Sequence, residues 1–160
     1  MIDIFIPSYH RPNNIKTVKY FIKKGYDPKK LHVFIDDETD DIEDYKKETK
    51  KFGCNLHIFD MKESRARWNY THRPSKTRRS AGQARNMFYD FAKKLDINFY
   101  IAIDDDTSTY EMKPYGVYKR VANLDEINKV FEGVREMMQR RRIGLFGLSQ
   151  TGDSFTVPNT

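Results

Sequence analysis

The sequence lacks the features that define several classes of protein. It has one cysteine, Cys54, in 160 residues, so neither a disulfide nor a thiolate metal site can form within the chain. Its longest apolar run has five residues, and its N-terminus does not resemble a signal peptide. These absences predict a soluble, cytoplasmic protein with no membrane segment.

The sequence also lacks a glycine-rich phosphate loop. The first apolar segment is followed by Pro7-Ser8-Tyr9-His10-Arg11-Pro12, which contains neither a dinucleotide-binding fingerprint nor a Gly-Lys-Ser/Thr motif. The usual backbone cradles for phosphate are therefore absent. If this chain binds a phosphate, a metal ion and side chains would hold it instead.

Positive charge is concentrated in one segment. The chain has 29 basic and 23 acidic residues; residues 62–80 hold seven of the basic and one of the acidic ones, so 22 of each sign balance elsewhere. The seven are Lys62, Arg65, Arg67, Arg73, Lys76, Arg78 and Arg79. A local excess of this kind is a better candidate for a binding surface than a diffuse one.

Strand and helix patterns alternate along the chain. Apolar segments typical of buried strands lie at 2–6, 31–35, 56–59, 99–103 and 143–148. Helical periodicity begins near residues 13, 42, 80 and 127, and residues 62–79 are predicted to form a long loop. This order predicts an α/β fold, with a mainly parallel sheet and helices on both faces, in a single domain over residues 1–160.

Polar residues follow three of the predicted strands, at 7–11, 36–38 and 104–106. The carboxyl ends of parallel strands meet at one edge of a sheet, where α/β proteins bind their ligands. These residues are therefore predicted to converge, although they are far apart in the sequence.

Asp104, Asp105 and Asp106 are the most informative of these residues. Three adjacent carboxylates repel one another, and a divalent cation resolves the repulsion because carboxylate oxygens suit Mg²⁺ and Mn²⁺. The alternative is an acidic turn after a strand. The triplet thus points to a site for a metal and a phosphate-bearing ligand, with an ordinary turn left open.

Four segments in order resemble the nucleotide-sugar half of GT-A glycosyltransferases, nearest to family 2. They are Phe5-Ile6-Pro7-Ser8-Tyr9-His10-Arg11-Pro12, Val33-Phe34-Ile35-Asp36-Asp37-Glu38-Thr39-Asp40, Ala81-Gly82-Gln83-Ala84-Arg85-Asn86 and Tyr100-Ile101-Ala102-Ile103-Asp104-Asp105-Asp106. The resemblance covers about the first 110 residues. It implies a glycosyltransferase of the hexosyltransferase type, with Mn²⁺ or Mg²⁺ as cofactor and a nucleoside-diphosphate sugar, UDP-sugar first, as donor.

The resemblance also implies roles for individual residues. The residues implied to bind the donor nucleotide are Pro7, Tyr9, Arg11, Asp36, Asp37, Arg85, Asp104 and Asp105. Asp106 and Asp104 are implied to bind the metal. The third aspartate permits a one-residue shift, so the division of roles within the triplet stays open.

The acceptor side has no recognisable motif, and we assign no catalytic base. Two alternatives would explain the missing acceptor motif. The chain is a minimal or truncated domain that lacks a complete acceptor-binding portion, or another subunit of a homo-oligomer supplies the groups that bind the acceptor. Arg65, Arg67, Arg78 and Arg79 of the predicted loop are candidates for binding either the diphosphate or the acceptor.

Two other functions fit parts of the sequence. Arginines interleaved with Trp68, Tyr70 and His72 suit a nucleic-acid-binding module that uses residues 62–79. Asp104 to Ser108 is similar to the nucleophile motif of haloacid dehalogenase-like phosphotransferases, although that motif normally follows the first strand. A transferase that modifies a base in DNA would need both the aspartates and the basic segment.

Overall fold

The computed structural model describes residues 1–67, 81–109, 111–112, 119–120 and 123–144. The strands are β1 (Asp3–Pro7), β2 (Leu31–Asp36), β3 (Asn55–Phe59), β4 (Tyr100–Ala102), β5 (Glu111–Met112) and β6 (Lys119–Arg120). The helices are α1 (Lys16–Lys23), α2 (Ile42–Phe52), α3 (Met61–Arg67), α4 (Ala81–Lys94) and α5 (Leu124–Arg141). Short 3-10 turns cover Pro12–Asn14 and Pro28–Lys30.

The main sheet has four parallel strands in the order β3-β2-β1-β4. β5 and β6 form a separate antiparallel pair. The chain moves from β1 through β2 to β3 on one side of β1 and then crosses to β4 on the other side. Such a reversal opens a crevice at the carboxyl ends of the two strands that flank it, here β1 and β4.

Each face of the sheet carries its own apolar core. Successive side chains of a strand point to opposite faces, so Ile4 and Ile6 pack with α1, α2 and α5, while Phe5 packs with α4. Phe5 and Phe88 of α4 meet edge to face, with 5.3 Å between ring centroids. The predicted α/β class, with a parallel sheet and helices on both faces, is confirmed.

Glycines end two helices where the sequence predicts it. Gly53 follows α2 in the left-handed conformation, with φ of 72°, and Gly25 lies just beyond α1 with φ of 83°. Both conformations favour glycine because it has no Cβ. Residue 80, where a helical pattern is predicted to begin, lies outside the described residues, as do residues 145–148 of the predicted last strand; residues 143–144 belong to no strand.

The prediction of a loop over residues 62–79 is wrong for its first part, which is helix α3. The carboxylate of Asp37 accepts a hydrogen bond from the Met61 amide at 2.9 Å, and that of Asp60 accepts one from the Glu63 amide at 2.8 Å. Both bonds satisfy amides that the first turn of a helix leaves unpaired. Met61 and Ser64 are buried against α4, where the Ser64 hydroxyl donates to the Gln83 carbonyl at 2.8 Å. Residues 68–79 lie outside the described part of the chain.

The helices in the described part of the chain include none that is both long and apolar enough to cross a membrane.

A hydrogen-bonded chain of polar side chains crosses the start of the sheet. His32 Nε2 lies 3.0 Å from the Asp3 carboxylate, and His32 Nδ1 lies 2.9 Å from His57 Nε2. A carboxylate only accepts, so His32 donates to Asp3 through Nε2 and, when neutral, accepts from His57 through Nδ1. Burial lowers the pKa of His32, and it lowers the pKa of His57 to about 4.

We predict that the free energy of unfolding falls as the pH drops from about 6.5 towards about 4. Both imidazoles are neutral in the folded chain but become protonated near pH 6.5 when the chain is unfolded, so the unfolded state binds more protons in this range. The free energy of unfolding therefore falls by up to about 1.4 kcal/mol per pH unit for each histidine. Denaturant unfolding at a series of pH values measures the slope. His57→Gln is expected to flatten it, because it removes one of the two imidazoles that are neutral in the folded chain. An unchanged slope in His57→Gln would contradict the assignment.

Candidate functional site

The aspartate triplet lies at the crevice between β1 and β4. The Ile103 amide donates to the Phe5 carbonyl at 3.0 Å, which carries the pairing with β1 up to the residue before Asp104. On the other side of β1, the Ser8 amide donates to the Phe34 carbonyl at 2.9 Å. The segment after β1 therefore lies between the ends of β2 and β4.

Thr17 fixes the backbone of the triplet. This residue is fully buried at the second position of α1, where its amide has no partner inside the helix and donates to the Asp105 carbonyl at 3.1 Å. Its hydroxyl donates to the Asp104 carbonyl and accepts from the Thr107 amide at 3.0 Å. Thr17 is not among the residues predicted from the sequence, because a polar residue beside the apolar stripe of α1 gives no sign of a partner about 90 residues away.

The three aspartates occupy different environments. The side chain of Asp105 is 11% exposed, whereas those of Asp104 and Asp106 are 36% and 60% exposed. Asp105 Oδ2 accepts a hydrogen bond from the Ser8 hydroxyl at 2.7 Å. Burial raises the pKa of Asp105, and the Ser8 hydrogen bond and the nearby Arg11 oppose that rise. The middle carboxylate thus faces the protein, and the outer two face the crevice.

Tyr45 of α2 continues the contacts of Asp105. Its hydroxyl lies 2.8 Å from Ser8 Oγ and accepts a hydrogen bond from the Arg11 amide at 3.0 Å. Because the Ser8 proton is given to Asp105, the Tyr45 hydroxyl is the donor to Ser8. Tyr45 is not among the site residues predicted from the sequence, since a ring at the apolar spacing of a helix gives no sign of what its hydroxyl contacts.

Two arginines offset the charge of the triplet. Arg85 of α4 places Nη2 2.5 Å from Asp104 Oδ1. Arg11 places Nη1 3.4 Å from Asp105 Oδ1 and 3.8 Å from Asp106 Oδ2. The structure therefore brings together Arg11, Arg85 and the three aspartates, which come from three separate segments of the sequence.

The other residues predicted after β1 and β2 are placed as follows. Pro7 ends β1 and is buried opposite Phe34, and Tyr9 is 41% exposed. Asp36 is buried, and its carboxylate accepts from the Glu38 amide at 3.1 Å, which forms a local turn. Asp37 bonds the first amide of α3. The carboxylates that end β2 are thus used within the fold.

The arginines predicted for the diphosphate or the acceptor are only partly described. Arg65 lies on α3 and forms a bidentate pair with Glu38, both N–O distances being 3.0 Å. Arg67 ends α3, and its side chain is not described; Arg78 and Arg79 lie outside the described residues. The structure therefore places Arg65 beside Glu38, which follows the end of β2.

His10 connects the segment after β1 to α2. It lies in the left-handed region with φ of 51°, which is unusual for a residue with a side chain, and its Nδ1 is 2.6 Å from the carboxylate of Asp41. Unfavourable backbone conformations of this kind persist only where surrounding contacts hold them. The contact with Asp41 is one of these.

The side chains at the crevice that could ligate a metal suit a cation that is bound together with a phosphate-bearing ligand. Within the described residues, no three His, Cys, Asp or Glu side chains are grouped so that they could hold a metal by themselves. Asp104 and Asp106 offer two partly exposed carboxylates, and Mg²⁺ is commonly bound by one or two carboxylates together with substrate phosphates. The residues present therefore fit a Mg²⁺ or Mn²⁺ ion shared with a ligand.

The parallel sheet with its flanking helices fits the GT-A-like fold of glycosyltransferases. The chain belongs to the TET-associated glycosyltransferase family, whose family model matches residues 2–151. No curated protein and no solved structure was found to match the chain. The protein is thus a glycosyltransferase that uses a sugar donor and an acceptor, and the family match extends beyond the 110 residues that carry the resemblance in sequence.

We predict that Thr17→Val lowers the free energy of unfolding by about 1–3 kcal/mol. Valine keeps the volume of threonine but leaves the Thr107 amide without its buried acceptor. Thr49→Val is the matched control, because the buried Thr49 hydroxyl donates to carbonyls of its own helix. Urea unfolding of both variants measures the difference. Equal losses would show that Thr17 does not hold the triplet.

Proposed function

We propose that this glycosyltransferase moves a sugar from a nucleoside-diphosphate donor, a UDP-sugar, to an acceptor hydroxyl, with Mn²⁺ or Mg²⁺ bound at Asp104 and Asp106. One observation carries the proposal: the two exposed carboxylates stand at the topological switch of the sheet, flanked by the guanidinium groups of Arg11 and Arg85. Carboxylates and arginines side by side suit a ligand that brings both a cation and a diphosphate.

The chain's own residues would bind and orient the donor. Arg85 and Arg11 now pair with the aspartates, and they are placed to donate to the diphosphate when a cation takes over those carboxylates. A bound Mn²⁺ or Mg²⁺ would stabilise the negative charge that develops on the departing diphosphate. The arginines add to the same effect, since fixed positive groups at a leaving group lower the barrier of transfer.

The nucleoside is proposed to lie along the segment after β1. Tyr9 presents a partly exposed ring there, suited to stacking on a base, and Pro7, buried at the end of β1, is proposed to line the same pocket. Asp37 and Asp36, at the adjoining end of β2, are the proposed contacts for the base, although both now bond amides of the fold. Base binding would therefore compete with these local hydrogen bonds.

A nucleic acid is the proposed acceptor, through a hydroxyl on a modified base. The family's description associates its members with TET. The basic segment at 62–80 carries the entire positive excess of the chain, as a polyanionic acceptor would require. Its first part, α3, begins at the Asp37 contact and so starts beside the proposed donor site.

We predict that Asp106→Ala abolishes Mn²⁺-dependent nucleotide binding. A panel of nucleoside diphosphates and nucleotide sugars with Mn²⁺ is screened by thermal shift, since a ligand of the folded state raises Tm. The best ligand is then titrated against the variant, with a loss of more than about 100-fold expected because a direct metal ligand is removed. Asp44→Ala, an exposed carboxylate of α2, is the control. Unchanged affinity in Asp106→Ala would refute the metal assignment.

We predict that DNA binding is strongly salt-dependent and is lost when Arg65, Arg67, Arg78 and Arg79 are changed to Gln. The slope of log K against log salt should fall by roughly 0.9 for each phosphate contact removed. In the control variant, four lysines of α2 are changed to Gln, namely Lys46, Lys47, Lys50 and Lys51. Loss of nucleotide binding with DNA binding intact would assign the arginines to the donor instead.

A further inference from the structure

We infer that Tyr45, Ser8 and Asp105 form a positioning chain that fixes the crevice for its ligands, and that Asp105 does not ligate the cation. The inference rests on the proposed function for the identity of those ligands. It gives positioning roles to the hydroxyl groups of Ser8 and Tyr45, which are not among the predicted site residues. Asp105 then faces the protein, while Asp104 and Asp106 face the ligands.

The chain of hydrogen bonds has a fixed direction. The Arg11 amide donates to Tyr45 Oη, Tyr45 donates to Ser8 Oγ, and Ser8 donates to Asp105 Oδ2. Tyr45 is fully buried, and Ser8 and Asp105 are buried as well. Each of the two hydroxyls thus both donates and accepts away from bulk water, which satisfies its hydrogen-bonding capacity within the fold.

The positioning chain of hydrogen bonds joins three parts of the fold. Tyr45 belongs to α2 and packs in the core on one face of the sheet, Ser8 follows β1, and Asp105 follows β4. Arg11 is held twice, through its amide by Tyr45 and through its guanidinium by Asp105 and Asp106. Tyr45 therefore transmits the rigid position of a core helix to a charged side chain at the mouth of the crevice.

Asp105 is poorly placed to bind a cation. Oδ2 accepts from Ser8 at 2.7 Å, and Oδ1 faces Arg11 at 3.4 Å. Turning towards the crevice would leave the buried hydroxyls of Ser8 and Tyr45 without this acceptor, and an unsatisfied buried donor is costly. Asp104 and Asp106, by contrast, pair with arginines, and among the described residues no buried hydroxyl donates to either carboxylate.

Tyr45→Phe and Tyr26→Phe provide a matched test. Each removes one buried hydroxyl that makes two hydrogen bonds; that of Tyr26 bonds the amide and carbonyl of Ile2, at 3.1 and 2.5 Å, at the opposite end of the sheet. Both variants are expected to lose stability. Tyr45→Phe should also weaken binding of UDP with Mn²⁺ by about 10-fold or more, measured by calorimetry well below Tm, and Tyr26→Phe by less than about 2-fold. Equal affinities in the two variants would overturn the inference.

Asp105→Asn and Asp106→Asn separate positioning from ligation. The asparagine side chain in Asp105→Asn keeps an oxygen that accepts from Ser8, so Mn²⁺ binding, measured by electron paramagnetic resonance with UDP present, should stay within about 10-fold of the parent. Asp106→Asn should lose it by more than about 100-fold. Equal losses in the two variants would make Asp105 a ligand and overturn the inference.

Hydrogen exchange at the Arg11 amide tests the positioning chain without any ligand. Exchange should become faster in Tyr45→Phe and stay unchanged in Tyr26→Phe, because it is Tyr45 that accepts from this amide. Unchanged exchange in Tyr45→Phe would overturn the inference whatever the chain binds. A third outcome separates the two proposals. If exchange is faster in Tyr45→Phe but the parent protein binds neither UDP nor Mn²⁺, the positioning chain is supported and the proposed function is refuted.

Discussion

Repulsion among three adjacent carboxylates is the constraint on which the site depends. Without compensation, burying such charges costs far more than a single domain can sustain. The fold meets this constraint by turning Asp105 inward to a hydroxyl and leaving its two neighbours to arginines at the surface. Thr17 fixes the backbone between them. Much of the polar structure around β1, α1 and α2 serves this one arrangement.

The two cores on opposite faces of the sheet hold that arrangement in place. α1 and α2, which supply Thr17 and Tyr45, share one core, whereas α4, which supplies Arg85, belongs to the other. The crevice is therefore built from both layers, and the parallel sheet between them sets their separation. A parallel sheet needs both faces covered, so a polar site can open only at its strand ends.

Sequence patterns predict the framework of this fold better than its polar contacts. Continuous apolar runs locate the four parallel strands, helical spacing locates α2, and the aspartate triplet is visible because charge follows an apolar run. The contacts that Thr17 and Ser8 make with Asp104 and Asp105 span 87 and 97 residues, and no local pattern encodes a contact at that separation. The sequence pattern does not predict helix α3, because Met61 is the one apolar residue among its described buried ones and its start depends on Asp37 from a distant strand end.

The contact between Ser64 and Gln83 has a consequence for how the chain can vary. It joins α3 to α4, so residues 67 and 81 belong to two helices that contact each other directly. The entropy of closing a loop rises slowly with its length, by about 0.6 kcal/mol for each doubling. A change in the length of the connection between these two helices is therefore expected to cost little in closure entropy, because α3 and α4 are held together by their own contact.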